Sequence, residues 1–212
     1  MAAVIVEPVQ GEGGVRVLDA GFLAKLRELT KKKSIALIFD EIQCGLGRTG
    51  HLFAYQRIDV VPDIVTLAKP LAGGLPMGAV LLTEEIGSAM KAGEHGTTFG
   101  GGPLVASVAK HVLARLSDPA FLATVRTNGQ WLGERLTAFA EQSRKVRAVR
   151  GAGLMWGIDV VEPAAEVVRR GWANKLLTLT AGDHTVRLLP PLVMSRPDLE
   201  RGVEKLIASI EE

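Results

Sequence analysis

The sequence predicts an α/β fold with mostly parallel strands, followed by a smaller α+β unit. Three observations carry that expectation. Residues 2–6, 35–39, 63–68 and 77–83 are short apolar runs, too short for helices, separated by loops and one amphipathic stretch. Chemically able side chains gather just after three of these runs: Glu7 and Glu12, then Asp40 and Gln43, then Lys69. After residue 90 the character changes to two long helical patterns and then to renewed alternation. The expected division is a first domain over residues 1–115 and a small α+β domain over 116–212.

In order along the chain, AAVIV reads as a fully buried strand that either belongs inside a larger sheet or lies at an edge, followed by the Gly-rich turn QGEGG. Asp19 is placed to cap a helix whose apolar face is Phe22, Leu23, Leu26 and Leu29, with Lys31, Lys32 and Lys33 at the end where cations suit the helix dipole. IALIF is a strand that ends on Asp40 and Glu41, and Gln43–Gly50 is a loop. DIVTLA and MGAVLLT are further strands, and EHGTTFGGGP is a loop with Pro103 in the first turn of the next helix. Helices are expected near 103–116 and 119–142, strands at VRAVRG, GLMWGIDVV, LLTLTA and TVRLLPP, and helices near 163–171 and 197–210. Trp131, Trp156 and Trp172 read as packing residues.

Composition narrows the function. The 212 residues carry 25 basic and 23 acidic side chains with no basic block, which argues against nucleic acid as a partner. No apolar run is long enough to span a bilayer, and the N-terminus reads as neither a signal nor a transit peptide, so a cytoplasmic protein is expected. The single Cys44 excludes an intrachain disulfide and reads as a small buried thiol, and the four histidines show no metal-ligand spacing, so no metal site is expected.

Ligands of open α/β sheets sit beyond the carboxyl ends of the strands, where Asp40 and Lys69 fall. Lys69 lies 29 residues after Asp40, enough for a loop and one return strand. An acid paired with an amine is what a pyridine-ring cofactor needs: a carboxylate keeps the ring nitrogen protonated, and a lysine amine bonds to its aldehyde. Leu67, Ala68, Pro70 and Leu71 give Lys69 apolar neighbours. Taken singly, a lysine after a strand is ordinarily a surface residue, and Asp40 reads equally as a helix cap or a salt-bridge partner.

The surrounding blocks separate these readings. VEPVQGEGGV, LIFDEIQCGLGRTGHLFA, PDIVTLAKPLAGGLPMGAV, HGTTFGGGPL and VRLLPPL follow one another in this order. Together they resemble the class III, fold type I aminotransferases of the ω-amino-acid group over essentially the whole chain, and AKPLAGGLP is most similar to the acetylornithine type. The resemblance implies pyridoxal 5'-phosphate as cofactor and a ping-pong transamination of N-acetylornithine with 2-oxoglutarate, a step of arginine biosynthesis. It also leaves room for ornithine, succinylornithine or 4-aminobutyrate as donor, or for a cofactor-binding remnant without activity of its own. It implies that Lys69 forms the Schiff base and shuttles the proton, that Asp40 pairs with the pyridine nitrogen, and that Gln43 reaches the ring hydroxyl, with Glu41 and Ile42 completing the cofactor-binding segment. Thr98 would bind the phosphate held by the neighbouring subunit of a homodimer, and Thr97 would touch substrate there. Arg187 would hold the α-carboxylate of glutamate or 2-oxoglutarate, and Glu12 would pair with Arg187 when the ω-amino substrate is bound. Glu12 and Arg187 also read as a plain ion pair.

Two departures from the family are visible. Its members carry a stretch before VEPVQGEGG, with a phosphate loop, a ring-stacking aromatic and an arginine, that this sequence does not show, so the chain is expected to begin within the larger domain. Gly102 stands where the family has Asn or Asp in a GG(N/D)P turn.

Overall fold

Residues 1–212 are described by a computed structural model. The four apolar runs of the first half assemble into one sheet of β1 (Ala3–Val6), β4 (Ala36–Asp40), β5 (Ile64–Leu67) and β6 (Ala79–Leu82), in that order. The first three are parallel and β6 returns antiparallel to β5. The rest of the order is β2 (Val9–Gln10), β3 (Arg16–Val17), α1 (Ala20–Lys32), α2 (Glu84–Ala89), α3 (Pro103–Leu116), α4 (Pro119–Gln142), β7 (Val146–Ala152), β8 (Met155–Val160), α5 (Ala164–Ala173), β9 (Leu179–Thr180), β10 (Thr185–Leu188) and α6 (Arg196–Glu211). The α/β class and the placement of the main strands agree with the sequence; the β2–β3 pair and α2 are additional, because two-residue strands and a single helical turn and a half leave too little periodicity to see.

The chain divides into two compact units. One comprises Met1–Pro8, Leu18–Gly47 and His51–Leu122, the other Val9–Val17, Arg48–Gly50 and Ala123–Glu212. Two short early segments thus belong with the C-terminal half, an exchange that no local pattern announces.

In the first unit, α1 starts where Asp19 accepts a hydrogen bond from the Phe22 amide at 2.8 Å. Leu23 of α1 packs with Leu37, Phe39 and Val60, and Val6, Leu26, Tyr55 and Ile58 close around them. Phe22 and Leu29, expected on the apolar face, are exposed instead, since only the Leu23–Leu26 stripe meets the sheet. β1 lies at the sheet edge, one of the two places open to it, and is not fully buried: Ile5 is 58% exposed, and Val80 of β6, on the same face by strand alternation, is 59% exposed.

In the second unit, β7, β8, β10 and β9 form an antiparallel sheet in that order. Met155, Ile158, Val160 and Val186 from the sheet, Leu132 and Leu136 from α4, and Leu206 and Ile210 from α6 are fully buried. Close approach is built on glycine: a Cβ at Gly129 of α4 would sit 2.5 Å from the Gly153 carbonyl oxygen, and one at Gly133 would collide with the Trp156 ring. Trp131 lies under the Arg196 guanidinium at 4.6 Å, whereas Trp172 is exposed rather than packed.

Candidate active site

The site of the first unit is built at the carboxyl ends of neighbouring parallel strands. Asp40, the last residue of β4, pairs in register with Thr66 of β5, and Lys69 follows three residues later. Asp40 is half-buried and its Oδ1 accepts the Ile42 amide at 3.0 Å, which bends the chain out of the strand. The Glu41 amide donates to the Thr66 carbonyl at 3.1 Å, so the strand ladder runs one residue past Asp40. One backbone amide thus holds the Asp40 carboxylate, and the ladder to β5 fixes the backbone that follows it.

Lys69 leaves its strand by an uncommon turn. Ala68 is extended, Lys69 has φ of 46°, and Pro70 continues a 3₁₀ turn over Lys69–Ala72. A left-handed lysine is disfavoured by roughly 1 kcal/mol or more and persists where the surroundings fix it. Here the fixing is done by Leu71 and Ala72, both buried, and by Gly73, itself left-handed, whose Cβ position faces Val112 and Val108 of α3 at 3.4 and 3.6 Å. The apolar neighbours Leu67 and Leu71 turn inward, and the Lys69 side chain is exposed. The expected apolar surroundings of Lys69 are thus on the far side of its own turn.

Between these two residues lies the loop that starts at Glu41. Its carboxylate is 0% exposed and accepts the backbone amides of Ala54 at 2.7 Å and Tyr55 at 2.9 Å. Burial pushes its pKa up to about 7, with the two amide bonds from Tyr55 and Ala54 opposing the rise. Tyr55 is pushed up in turn, by its burial and then by the Glu41 charge. Gln43 is half-buried and the Cys44 thiol, buried, donates to the Asp40 carbonyl at 3.6 Å. Thr97 and Thr98 fall on a separate exposed loop, where Thr97 Oγ1 accepts the Gly100 amide at 3.1 Å.

The second unit holds the other two candidates. Arg187, in the middle of the antiparallel sheet on β10, is 6% exposed, and its Nη1 donates to Glu12 Oε1 at 2.5 Å. Glu12 sits on the turn between β2 and β3 with its side chain 75% exposed. Beside Arg187 is a cavity of about 400 Å³ walled by Trp172, Leu177, Leu179 and Leu189. A buried guanidinium that meets a solvent-reaching carboxylate can exchange that partner for another carboxylate at little cost in desolvation.

Two buried networks had no signal in the sequence. Arg48 donates to the carbonyls of Leu154 and Pro190 at 3.0 and 2.6 Å, and burial lowers its pKa to about 10. Arg150 grips both oxygens of Asp159 and also reaches Gly14 and Thr185. Burial raises the Asp159 pKa, but the bonds from Arg150 and Thr185 and the Arg150 charge bring it below the ordinary value. These are long-range pairings that spacing along the chain does not reveal.

A mostly parallel sheet with an acid and a lysine at adjacent strand ends can hold a pyridine-ring cofactor. The chain belongs to the aminotransferase class-III family, whose profile matches residues 1–210. It is 49% identical to the mitochondrial acetylornithine aminotransferase of Alnus glutinosa, over 98% of this chain and 46% of that one. It is 41% identical to the succinylornithine transaminase of Yersinia enterocolitica, over 99% of this chain and 52% of that one. The solved ornithine δ-aminotransferase of Plasmodium falciparum superimposes with a TM-score of 0.93 at 34% identity, over 99% of this chain and 55% of that one. The chain spans about half the length of the curated relatives it matches. Members of the family depend on pyridoxal phosphate. The residues present fit that group at two of its ends: an exposed amine at Lys69 suits its aldehyde, and the carboxylate of Asp40, one strand away, suits its ring nitrogen. No helix is long and apolar enough to cross a membrane.

Proposed function

We propose that the chain carries the cofactor-anchoring part of an acetylornithine-type aminotransferase, which moves the terminal amine of N-acetylornithine to 2-oxoglutarate in arginine biosynthesis. The observation that carries this reading is Lys69, held in a left-handed turn at the end of β5 beside the strand that ends on Asp40. When bound, pyridoxal phosphate supplies an electron sink for the carbon that loses its proton. Lys69 tethers the group through its Nζ and moves the proton at the substrate carbon. Asp40 presents its carboxylate to the ring nitrogen, Gln43 reaches the ring hydroxyl, and Glu41 and Ile42 complete that segment. Thr98 donates to the phosphate held by a second copy and Thr97 touches substrate there, so the working form we infer is a cytoplasmic homodimer. Arg187 binds the α-carboxylate of glutamate or 2-oxoglutarate, and Glu12 masks Arg187 when the ω-amino donor occupies the site.

A second reading is that these 212 residues by themselves bind the cofactor without completing turnover. One experiment separates the two. Pyridoxal phosphate is added to the purified chain, reduced with borohydride, and the modified lysine located by peptide mass spectrometry. Unreduced samples then receive N-acetylornithine, succinylornithine, ornithine or 4-aminobutyrate, and bleaching of the visible cofactor band is followed. Label at Lys69 with fastest bleaching by N-acetylornithine is expected. Label without bleaching supports the second reading, and scattered label on surface lysines refutes both.

A further inference from the structure

Glu41 is the most deeply buried carboxyl of the chain, and the transamination chemistry just described gives its side chain no step. It sits directly after Asp40, yet its carboxylate turns away from the strand end and into the protein, where it takes the amides of Ala54 and Tyr55. Those amides open the 3₁₀ turn Ala54–Arg57, on the far limb of the loop that leaves β4. The loop is drawn tight around the carboxylate. The Gly45 amide returns to the Glu41 carbonyl at 2.9 Å, a Cβ at Gly45 would lie 2.6 Å from Glu41 Oε2, and the Gly47 amide reaches the Leu52 carbonyl at 3.2 Å. Gly45 therefore leaves room for the carboxylate, and the two limbs of the loop are joined by the Glu41 side chain and by the Gly47–Leu52 backbone bond.

We propose that Glu41 is a positioning residue: its buried carboxyl latches the Ala54–Tyr55 turn to the end of β4, and so fixes the Asp40–Gln43 segment on which cofactor binding depends. The cofactor part of this inference rests on the reading of the preceding subsection. The latch itself does not, because every contact in it lies within the chain. Two preorganised amides can hold a carboxyl without a counter-charge, and a carboxyl that reaches back across 13 residues immobilises the loop it spans.

The latch has a pH signature. Tyr55 is the ionisable group that faces Glu41 from the 3₁₀ turn, and Asp40 and Cys44 flank it on its own segment. Burial has raised the Glu41 pKa in the closed loop, whereas an opened loop returns the group to water. Protonation therefore favours the closed loop. The latch is tightest in acid and loosens as pH rises from the ordinary carboxylate range through the raised value.

The test is hydrogen–deuterium exchange on the full chain between pH 5 and 8, corrected for intrinsic exchange, on wild type and Glu41→Gln. In wild type, protection of the 40–47 and 52–55 segments should fall together by roughly tenfold or more across that range. In Glu41→Gln the fall should vanish, and the titration of Tyr55, the sole tyrosine, should move toward its ordinary value. Pyridoxal phosphate should bind the variant at least roughly fivefold more weakly while still labelling Lys69, as expected for a residue that positions rather than touches. A change confined to residues 52–55 with 40–47 untouched overturns the proposal, as does an unchanged pH profile in the variant. If Glu41→Gln does not fold, the wild-type profile decides alone, and a flat one overturns the latch. If wild type never labels at Lys69, the proposed function fails while exchange still tests the latch.

Discussion

The loop from Glu41 to Tyr55 and the loop around Thr97 and Thr98 both carry residues that we propose serve one cofactor, but the chain treats them differently. The first is tied down by its own side chains and amides: Asp40 to Ile42, Glu41 to Ala54 and Tyr55, Cys44 to Asp40. The second is open along its length, with Phe99 91% exposed and Thr97 bonded only within its own turn to Gly100. The difference teaches where precision comes from. Under the proposed function, a group that must sit within a fraction of an ångström of a reacting atom is held by hydrogen bonds within the chain, whereas a group offered to a second copy is left on the surface.

That contrast can be broken at several points, beginning with the largest effect. Lys69→Ala should abolish the borohydride-trapped pyridoxyl label altogether, read by peptide mass, since no neighbouring side chain offers an amine in the same turn. Glu41→Ala should cost about 3 kcal/mol in denaturant unfolding, because two buried amides lose their acceptor and a cavity opens. The ionisation of Glu41 adds a pH effect of at most about 3 kcal/mol: its folded pKa is raised to about 7, so the stabilisation it gives is complete below pH 4.5 and is gone by pH 7. Wild type should therefore gain stability over Glu41→Gln as pH is lowered through that window.

Within the second unit, Gly129→Ala should cost about 2 kcal/mol, read as a fall in the thermal midpoint, because the Gly153 backbone leaves no room for a methyl group. Arg150→Met should cost about 1–2 kcal/mol at neutral pH by leaving the half-buried Asp159 without its partner. Asp159 has a depressed folded pKa, so its contribution is present above its ordinary pKa and lost as pH falls below it; acid unfolding of the variant should show a shallower slope there. Smallest of all, Thr98→Ala should change stability by less than about 0.5 kcal/mol while weakening pyridoxal phosphate binding, which sharpens the contrast with Glu41. An equal loss of stability at Thr98 and Glu41 would erase it.

Much of the fold was legible. Asp19 as a cap, Pro103 opening α3, the strands ending on Asp40 and before Lys69, and the final amphipathic helix all follow from patterns a few residues long. The misses share a cause. Phe22, Leu29 and Trp172 are apolar, but whether an apolar residue is covered depends on what another part of the chain brings to it. The same holds for β1, whose apolar run reads as fully buried while its residues are exposed or only partly buried.

The sequence alone determined the class of fold, the positions of its main strands and the identity of the residues at their ends, because strand and helix periodicity, caps and turn glycines act over a few positions. It also put Glu12 and Arg187 forward as a possible pair. Only the tertiary structure decided that Glu41 turns inward to hold Ala54 and Tyr55, that Lys69 leaves its strand with a left-handed backbone, and that segments 9–17 and 48–50 join the second unit. Those outcomes depend on desolvation and on contacts between residues far apart in the chain, and such terms exist only once the chain has closed on itself.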